Sequence, residues 1–380
     1  MKKNQIDYPF MLTVLALLAM GLIMVMSASS ESARYASYTN GDPLYFAKRQ
    51  ALWAVFSLIA MAFFANFDYH RLCKSSTLIL GATVVLLIAV LIIGSEVKGG
   101  KRWINLGFIQ FQPSEIAKIA IILFFAETLA KNRKILDSFK GLMFYIGILG
   151  VIAFLLMLEP HMSATVLIML IGMGMLFIAG AKMKHIMPMA IVAVTGAVFF
   201  IFTSDYRRAR LFAFRDPFKD KLGDGWQIIQ SLYAIGSGGI FGLGLGKSRQ
   251  KFLYIPEPHN DFIFSILCEE LGLIGAAFVI LLFVVLIWRG FKIAMEATDV
   301  EGNLVGSGIT MLIAFEVIIN IAVVTSSMPV TGMALPFFSY GGTSLLMLMS
   351  CMGIMLNISK NGSSKPVSML PKLSKGRKKF

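Results

Sequence analysis

Ten predominantly apolar stretches divide the chain, at about residues 10–28, 50–67, 76–95, 114–130, 141–158, 163–180, 186–203, 262–288, 308–326 and 342–358. A bilayer core takes roughly 20 residues of helix, with a range of roughly 17–25, so each stretch is long enough to cross it. The pattern predicts an all-α polytopic membrane protein with ten transmembrane helices. Composition agrees: of 380 residues, 57% are hydrophobic and 15% charged. That leaves too little polar surface to cover the apolar mass in water, which excludes soluble enzymes, soluble nucleic-acid binders and disordered chains. The first stretch follows Lys2 and Lys3 and is longer than the 7–15 residues of a signal-peptide core, so it reads as an uncleaved anchor.

The formal net charge is +14, and its distribution orients the spans. With the N-terminus in the cytoplasm, 19 of the 35 Lys and Arg fall in inner segments, seven of them beyond residue 359. Short outer connections such as 159–162 and 327–341 carry none, so the positive-inside rule gives N-in, C-in. Two outer segments depart from it. Residues 96–113 hold Lys98, Lys101 and Arg102. The long loop at 204–261 holds nine basic residues, among them Arg207, Arg210, Arg215, Lys247 and Lys251. Either these are solvated surface charges, or they form a site for a phosphate-bearing substrate, which Arg and Lys bind well. The chain divides into a single membrane domain over 1–358 and a basic, disordered cytoplasmic tail over 359–380, drawn to anionic membrane lipids. No internal repeat supports an inverted-repeat transporter. Three scattered cysteines and four scattered histidines indicate neither disulfides nor a zinc site.

Ionisable residues inside spans are functional candidates, because placing them there is costly unless they are paired or hydrated. Glu115 and Lys118 lie three apart on one helical face, forming either a register-fixing ion pair or the lining of a substrate cavity. Glu269, Glu270, Glu316 and Asn320 read as hydrogen-bond partners between helices. Glu127 is placed to snorkel at the inner interface. Asp261 opens the eighth span on its outer side, beside the basic loop. It is either a helix N-cap or a general base for a hydroxyl nucleophile. The run from Gly242 to Ser248 mimics a phosphate-binding loop, but Phe241 stands where the pattern needs glycine. The glycine-dense 236–246 stretch reads instead as a tight re-entrant or interfacial turn. Pro329, Gly332, Pro336, Gly341 and Gly342 break the backbone before the last span, which is tolerated only where protein or water satisfies it.

Four segments together resemble the family of shape, elongation, division and sporulation proteins, which includes FtsW, RodA and SpoVE. They are Gly100-Lys-Arg-Trp-Ile104; Phe111-Gln-Pro-Ser-Glu115 with Lys118; Pro256 to Phe264 with Glu269-Glu270-Leu-Gly272; and Met328 to Gly332 with Leu335 to Gly342. The Tyr-Ile-Pro-Glu-Pro-His and Pro-Val-Thr-Gly runs look closest to the FtsW/SpoVE branch. The resemblance implies a peptidoglycan glycosyltransferase that polymerises lipid II on the outer face of the cytoplasmic membrane, in division or sporulation, beside a class B penicillin-binding protein transpeptidase. It places the catalytic aspartate on Asp261. It places the family's Glu/Lys pair on Glu115 and Lys118 and its arginine on Arg102. With these, Lys101, Trp103, Arg207, Arg210, Lys247, His259 and Ser339 are candidates for substrate binding, and Mg²⁺ is the expected divalent cation. Asn260 replaces the usual threonine before the aspartate, and His161 stands where many members are acidic. The rival readings are a lipid II flippase, for which the intramembrane charges form a polar path, and a non-catalytic scaffold for a transpeptidase.

Overall fold

A computed structural model describes residues 6–97, 100–105, 107, 110–202, 208, 214, 216–219, 223 and 225–362. Its helices are α1 (Tyr8–Tyr35), α2 (Tyr45–Asn66), α3 (Tyr69–Lys74), α4 (Ser76–Ile93), α5 (Pro113–Lys131), α6 (Phe139–Leu158), α7 (Met162–Ile178), α8 (Met183–Phe202), α9 (Trp226–Gly238), α10 (Ile263–Met295), α11 (Val300–Val324) and α12 (Gly342–Lys360). Each of the ten apolar stretches falls on one of these. Among the described residues, seven helices are long and apolar enough to cross a membrane: α1, α2, α4, α6, α10, α11 and α12. Helix α7 is 17 residues long, and α5 carries Glu115, Lys118 and Glu127 along its length.

Helix α11 is the central element. Its most apolar stretch is 72% buried, against 22% for α4 at the periphery. It packs on α5, α7, α10 and α12. Helices α2 and α12 approach closely because position 353 has no side chain: a Cβ on Gly353 would lie 2.4 Å from the Met61 carbonyl oxygen. At the opposite end of the molecule from Asp261, Asp7 caps α1 by accepting from Phe10 N at 3.0 Å. The same carboxylate accepts from both Nε and Nη2 of Arg289 near the end of α10. The Asp7 N–H donates to Ser359 Oγ, so three helix ends are joined there. Ser359 is buried and α12 runs on to Lys360, so the ordered bundle extends past the expected boundary at 358. Residues 363–380 of the basic tail lie outside the described residues.

Three features depart from a plain helical bundle. First, the 96–113 segment is a small antiparallel sheet, β1 (Ser95–Val97), β2 (Gly100–Asn105) and β3 (Gln110–Phe111), with β2 in the middle. Ile104 pairs with Phe111, and Lys101 pairs with Glu96. Secondly, the 204–261 connection is more than a loop, since it contains α9 packed on α10. Thirdly, α10 is two helices joined at Gly272, whose φ of 67° and ψ of −167° are open to glycine and strained for other residues. The glycine-dense turn after α9 fills this break. Leu243 and Gly244 donate to the Glu269 and Glu270 carbonyls, both at 3.0 Å, while Leu273 and Ile274 donate to the Gly239 and Ile240 carbonyls at 2.9 and 3.2 Å. The turn thereby satisfies the backbone groups freed by the break, which a low-dielectric interior requires.

Candidate active site

The segment leading into α10 lies against the segment leading into α12. Tyr340 N donates to the His259 carbonyl at 2.9 Å, and Ser339 Oγ donates to the Asn260 carbonyl at 2.8 Å while accepting from Leu335 N at 2.7 Å. The His259 ring is buried between Phe46, 4.4 Å between ring centroids, and Tyr340. His259 and Ser339 therefore brace the segment through packing and main-chain bonds. Asn320, one turn beyond Glu316 on α11, donates from Nδ2 to the Asp261 carbonyl at 2.8 Å and to the Met333 carbonyl at 2.7 Å.

Asp261 emerges from this brace half-buried, two residues before α10 begins. The cap position is taken by Phe262, and no side-chain hydrogen bond caps the helix there. The capping reading of Asp261 is thus set aside. The carboxylate faces the Gly332 backbone: a Cβ on Gly332 would lie 3.4 Å from Asp261 Oδ2.

Against the 334–341 segment, an open cleft is lined by Glu115, Lys118, Glu316, Ser339, Tyr340 and Ser344 among others. The expected Glu115–Lys118 pair is present at 2.8 Å, and Lys118 also reaches Glu316 at 2.6 Å. Ser344 Oγ donates to Glu115 Oε2 at 3.2 Å. The triad joins α5 to α11 and puts charged groups on the wall of the cleft.

The hairpin brings a third group of residues. Arg102 donates from Nε to the Glu159 carbonyl at 3.2 Å and from Nη2 to the Pro160 carbonyl, pinning β2 to the α6–α7 turn. Lys101 is exposed and Trp103 half-buried. Glu159 is fully buried, and among the described residues neither carboxylate oxygen has a hydrogen-bond partner. Burial pushes its pKa up to about 8 against the opposing pull of Arg102. Burial, with Arg102 and Lys118 nearby, pushes His161 down to about 3.

Other expected residues separate. Lys247 is exposed on the glycine-rich turn, as a substrate-binding role requires. Lys251, from the same basic cluster, is buried: its Nζ donates to the Gly246 carbonyl at 2.6 Å and pairs with Glu270 at 3.5 Å. Glu269 and Glu270 hold the turn rather than lining a path. Glu269 accepts from Ser248 Oγ and the N–H groups of Arg249 and Gln250, and Glu270 accepts from Ser27 Oγ and Ser248 N. Glu127 is buried and paired with Lys131, instead of extending to an interface. Arg207, Arg210 and Arg215 lie outside the described residues. Sequence reasoning missed Glu159, whose only signal was a carboxylate in the short Glu-Pro-His turn, and it saw Asn320 only as a helix–helix partner.

Among the described residues, the one group of three His, Asp or Glu side chains close enough to share a metal ion is His70, Asp299 and Glu301. It lies at the start of α11, about 30 Å along that helix from Asn320 at 1.5 Å per residue. No preformed three-ligand centre stands beside Asp261 among the described residues.

Residues 8–364 match the family model described as "Cell cycle protein", which spans FtsW, RodA and SpoVE. The chain belongs to this family. Stage V sporulation protein E of Bacillus subtilis (strain 168) is 43% identical over 362 residues, covering 94% of this chain and 98% of that protein. A protein of Geobacter sp. (strain M18) named "Probable peptidoglycan glycosyltransferase FtsW" is 40% identical over 356 residues, covering 93% and 96%. Among solved structures, RodA of Thermus thermophilus superposes with a TM-score of 0.70 at 26% identity, covering 95% and 99%. A chain from a peptidoglycan synthase complex, described as coordinating polymerization and crosslinking, superposes with a TM-score of 0.78 at 27% identity, covering 93% and 98%. The FtsW/RodA/SpoVE fold, that of a multi-pass helical membrane protein, is the fold of this chain. Its identity to these SpoVE and FtsW relatives exceeds that to the RodA structure, in line with the branch read from its motifs.

Proposed function

We propose that this member of the family is a peptidoglycan glycosyltransferase of the cytoplasmic membrane, polymerising lipid II at its outer face in division or sporulation. Ten crossings with both termini inside, as the basic residues direct, place Asp261, the hairpin and the glycine-rich turn on that face. The observation that carries the reading is an aspartate whose segment is braced at its main-chain carbonyls by two other segments, left unused as a helix cap, with its carboxylate facing the Gly332 backbone.

In this reading Asp261 takes the proton from the 4-hydroxyl of the acceptor N-acetylglucosamine as that oxygen attacks the anomeric carbon of the donor N-acetylmuramic acid. The new glycosidic C–O bond forms as the anomeric C–O bond to phosphate breaks, and undecaprenyl diphosphate leaves with the electron pair. One displacement turns the α-linked donor into a β-1,4 link, so one carboxylate suffices. Arg102, Lys101, Lys247 and the arginines of the 207–215 cluster offset the diphosphate charge, while the Glu115–Lys118–Glu316 triad orients substrate in the cleft. Mg²⁺ characteristically takes one or two carboxylates plus substrate phosphates. The donors on this segment, Glu257 and Asp261, fit a cation arriving with the diphosphate better than a resident centre. When bound, it would neutralise the departing diphosphate.

A class B transpeptidase is the proposed partner, by analogy with the synthase complex. The flippase reading loses support because Glu269 and Glu270 are enclosed by the turn they hold. The deciding experiment compares purified wild-type and Asp261→Asn protein, each with its transpeptidase, in lipid II polymerisation. Dithionite quenching of labelled lipid II in proteoliposomes is followed in parallel. Loss of chain growth with translocation unchanged supports the polymerase. Near-normal chain growth removes Asp261 as the base, and loss of translocation favours the flippase.

A further inference from the structure

Asn320 spends both N–H bonds of its amide on two main-chain carbonyls, those of Asp261 and Met333, at 2.8 and 2.7 Å. These carbonyls belong to the two walls of one slot. One wall is the chain that carries the Asp261 carboxylate. The other includes Gly332, adjacent to Met333, whose backbone the carboxylate faces. A single planar group therefore sets the distance between the carboxylate and the surface opposite it.

The surroundings make that distance rigid. Asn320 is 1% exposed and sits on α11, the central helix. One turn earlier on the same helix, Glu316 is held by Lys118. The amide's other end gives the clearest sign. Asn320 Oδ1 is buried and, among the described residues, has no hydrogen-bond partner. An unsatisfied buried acceptor is a standing cost, and an apolar residue of similar size would avoid it. What the apolar residue could not supply is the pair of donors. Aspartate would not serve either, since it would set a carboxylate against two carbonyl oxygens.

We infer that Asn320 is a positioning residue for the reaction, fixing the reach of the Asp261 carboxylate toward the acceptor hydroxyl by tying both walls of its slot to α11. The inference rests on the reading of Asp261 as the base. It assigns Asn320 no contact with substrate, so the effect belongs in the chemical step. Misplacement of a reacting group by about 1 Å can cost about 100-fold in rate.

The test uses the full chain with its transpeptidase partner and measures kcat and KM for lipid II, with thermal unfolding as the folding control. The variants are Asn320→Leu, Asn320→Ser, Asp261→Asn and the Asp261→Asn/Asn320→Leu double. Asn320→Leu is expected to lower kcat by about 10- to 100-fold with KM for lipid II nearly unchanged. Asn320→Ser, with one donor, should fall between Leu and wild type, and it carries the test alone if the leucine variant does not fold. With the base gone there is nothing to position, so the double variant should be no slower than Asp261→Asn. The positioning role is overturned if the Asn320 variants turn over at the wild-type rate. It is equally overturned if their loss lies in KM, or if it recurs in full on the Asp261→Asn background. Near-normal turnover by Asp261→Asn alone instead removes the base assignment, and that arm is read independently of the Asn320 variants.

Discussion

Lys118 Nζ lies 2.6 Å from Glu316 Oε1 and 2.8 Å from Glu115 Oε2, one cation shared by two carboxylates on the wall of the cleft. Removing one member of a buried ionic group leaves uncompensated charge and costs about 3–5 kcal/mol. Lys118→Met should therefore destabilise the protein strongly, because it leaves two carboxylates facing each other. The triple variant Glu115→Gln/Lys118→Met/Glu316→Gln removes that repulsion. Thermal unfolding in detergent should show stability largely restored in the triple variant, while lipid II polymerisation stays low. Recovery of both would mean that the triad serves only the fold.

Gly272 is the joint of α10, and the glycine-rich turn threads against it. A Cβ at this position would lie 2.3 Å from Gly242 N and 2.5 Å from the Ile240 carbonyl oxygen, both backbone atoms. Holding a non-glycine residue in such a conformation costs of order 1–3 kcal/mol before any displacement of the turn. Gly272→Ala should lower the unfolding temperature and increase proteolysis between residues 239 and 254. Gly81, on α4 with no atom near its missing Cβ, is the control: Gly81→Ala should be neutral or mildly stabilising. Equal behaviour of the two variants would contradict the role given to the joint.

The helices were legible in the sequence because the constraint on them is one-dimensional: a stretch of the right length and apolarity must be a helix in lipid. The hairpin was not, since six residues of β2 offer little periodicity and their partners are two short strands. Lys247 and Lys251 show the limit inside the site. They have the same charge in the same loop, yet one is exposed and the other is drawn inward by Glu270, 19 positions away. Asn320 shows it again. Its helix and its polarity could be read, but its partners are carbonyl oxygens 59 and 13 residues away, and main-chain atoms leave no mark in a side-chain pattern. Asp261 was legible as a choice between cap and base, and the structure narrowed that choice by giving the cap position to Phe262.

Arg102 forks across two successive carbonyls, Glu159 and Pro160. Lysine carries the same charge but no planar pair of donors, so Arg102→Lys tests geometry apart from charge. A hydrogen bond from a charged group is worth roughly 1.5–3 kcal/mol. The lysine variant is expected to raise KM for lipid II by about 10-fold, and Arg102→Ala, which also removes the charge, by more. Steady-state polymerisation over a lipid II titration checks this. Indistinguishable Lys and Ala variants would show that the fork, rather than the charge, is what the site uses.

Glu159 makes stability depend on pH in a direction unusual for a carboxylate. Its pKa is raised from 4.5 to about 8, chiefly by burial, so the folded protein keeps this proton over a range where the unfolded chain has lost it. Stability then falls as pH rises whenever the native state binds more protons than the unfolded state. The contribution is intact below about pH 4.5, declines through the interval up to about 8, and is level above it. Glu159→Gln removes the ionisation while keeping the shape and a hydrogen-bonding group. The variant should match wild type near pH 4.5 and exceed it progressively toward pH 8, by up to about 1.4 kcal/mol per unit. Thermal unfolding in detergent from pH 4.5 to 9 measures the difference. A constant offset between the two proteins across that range would show that Glu159 is ionised in the folded state and that its charge is met by a partner.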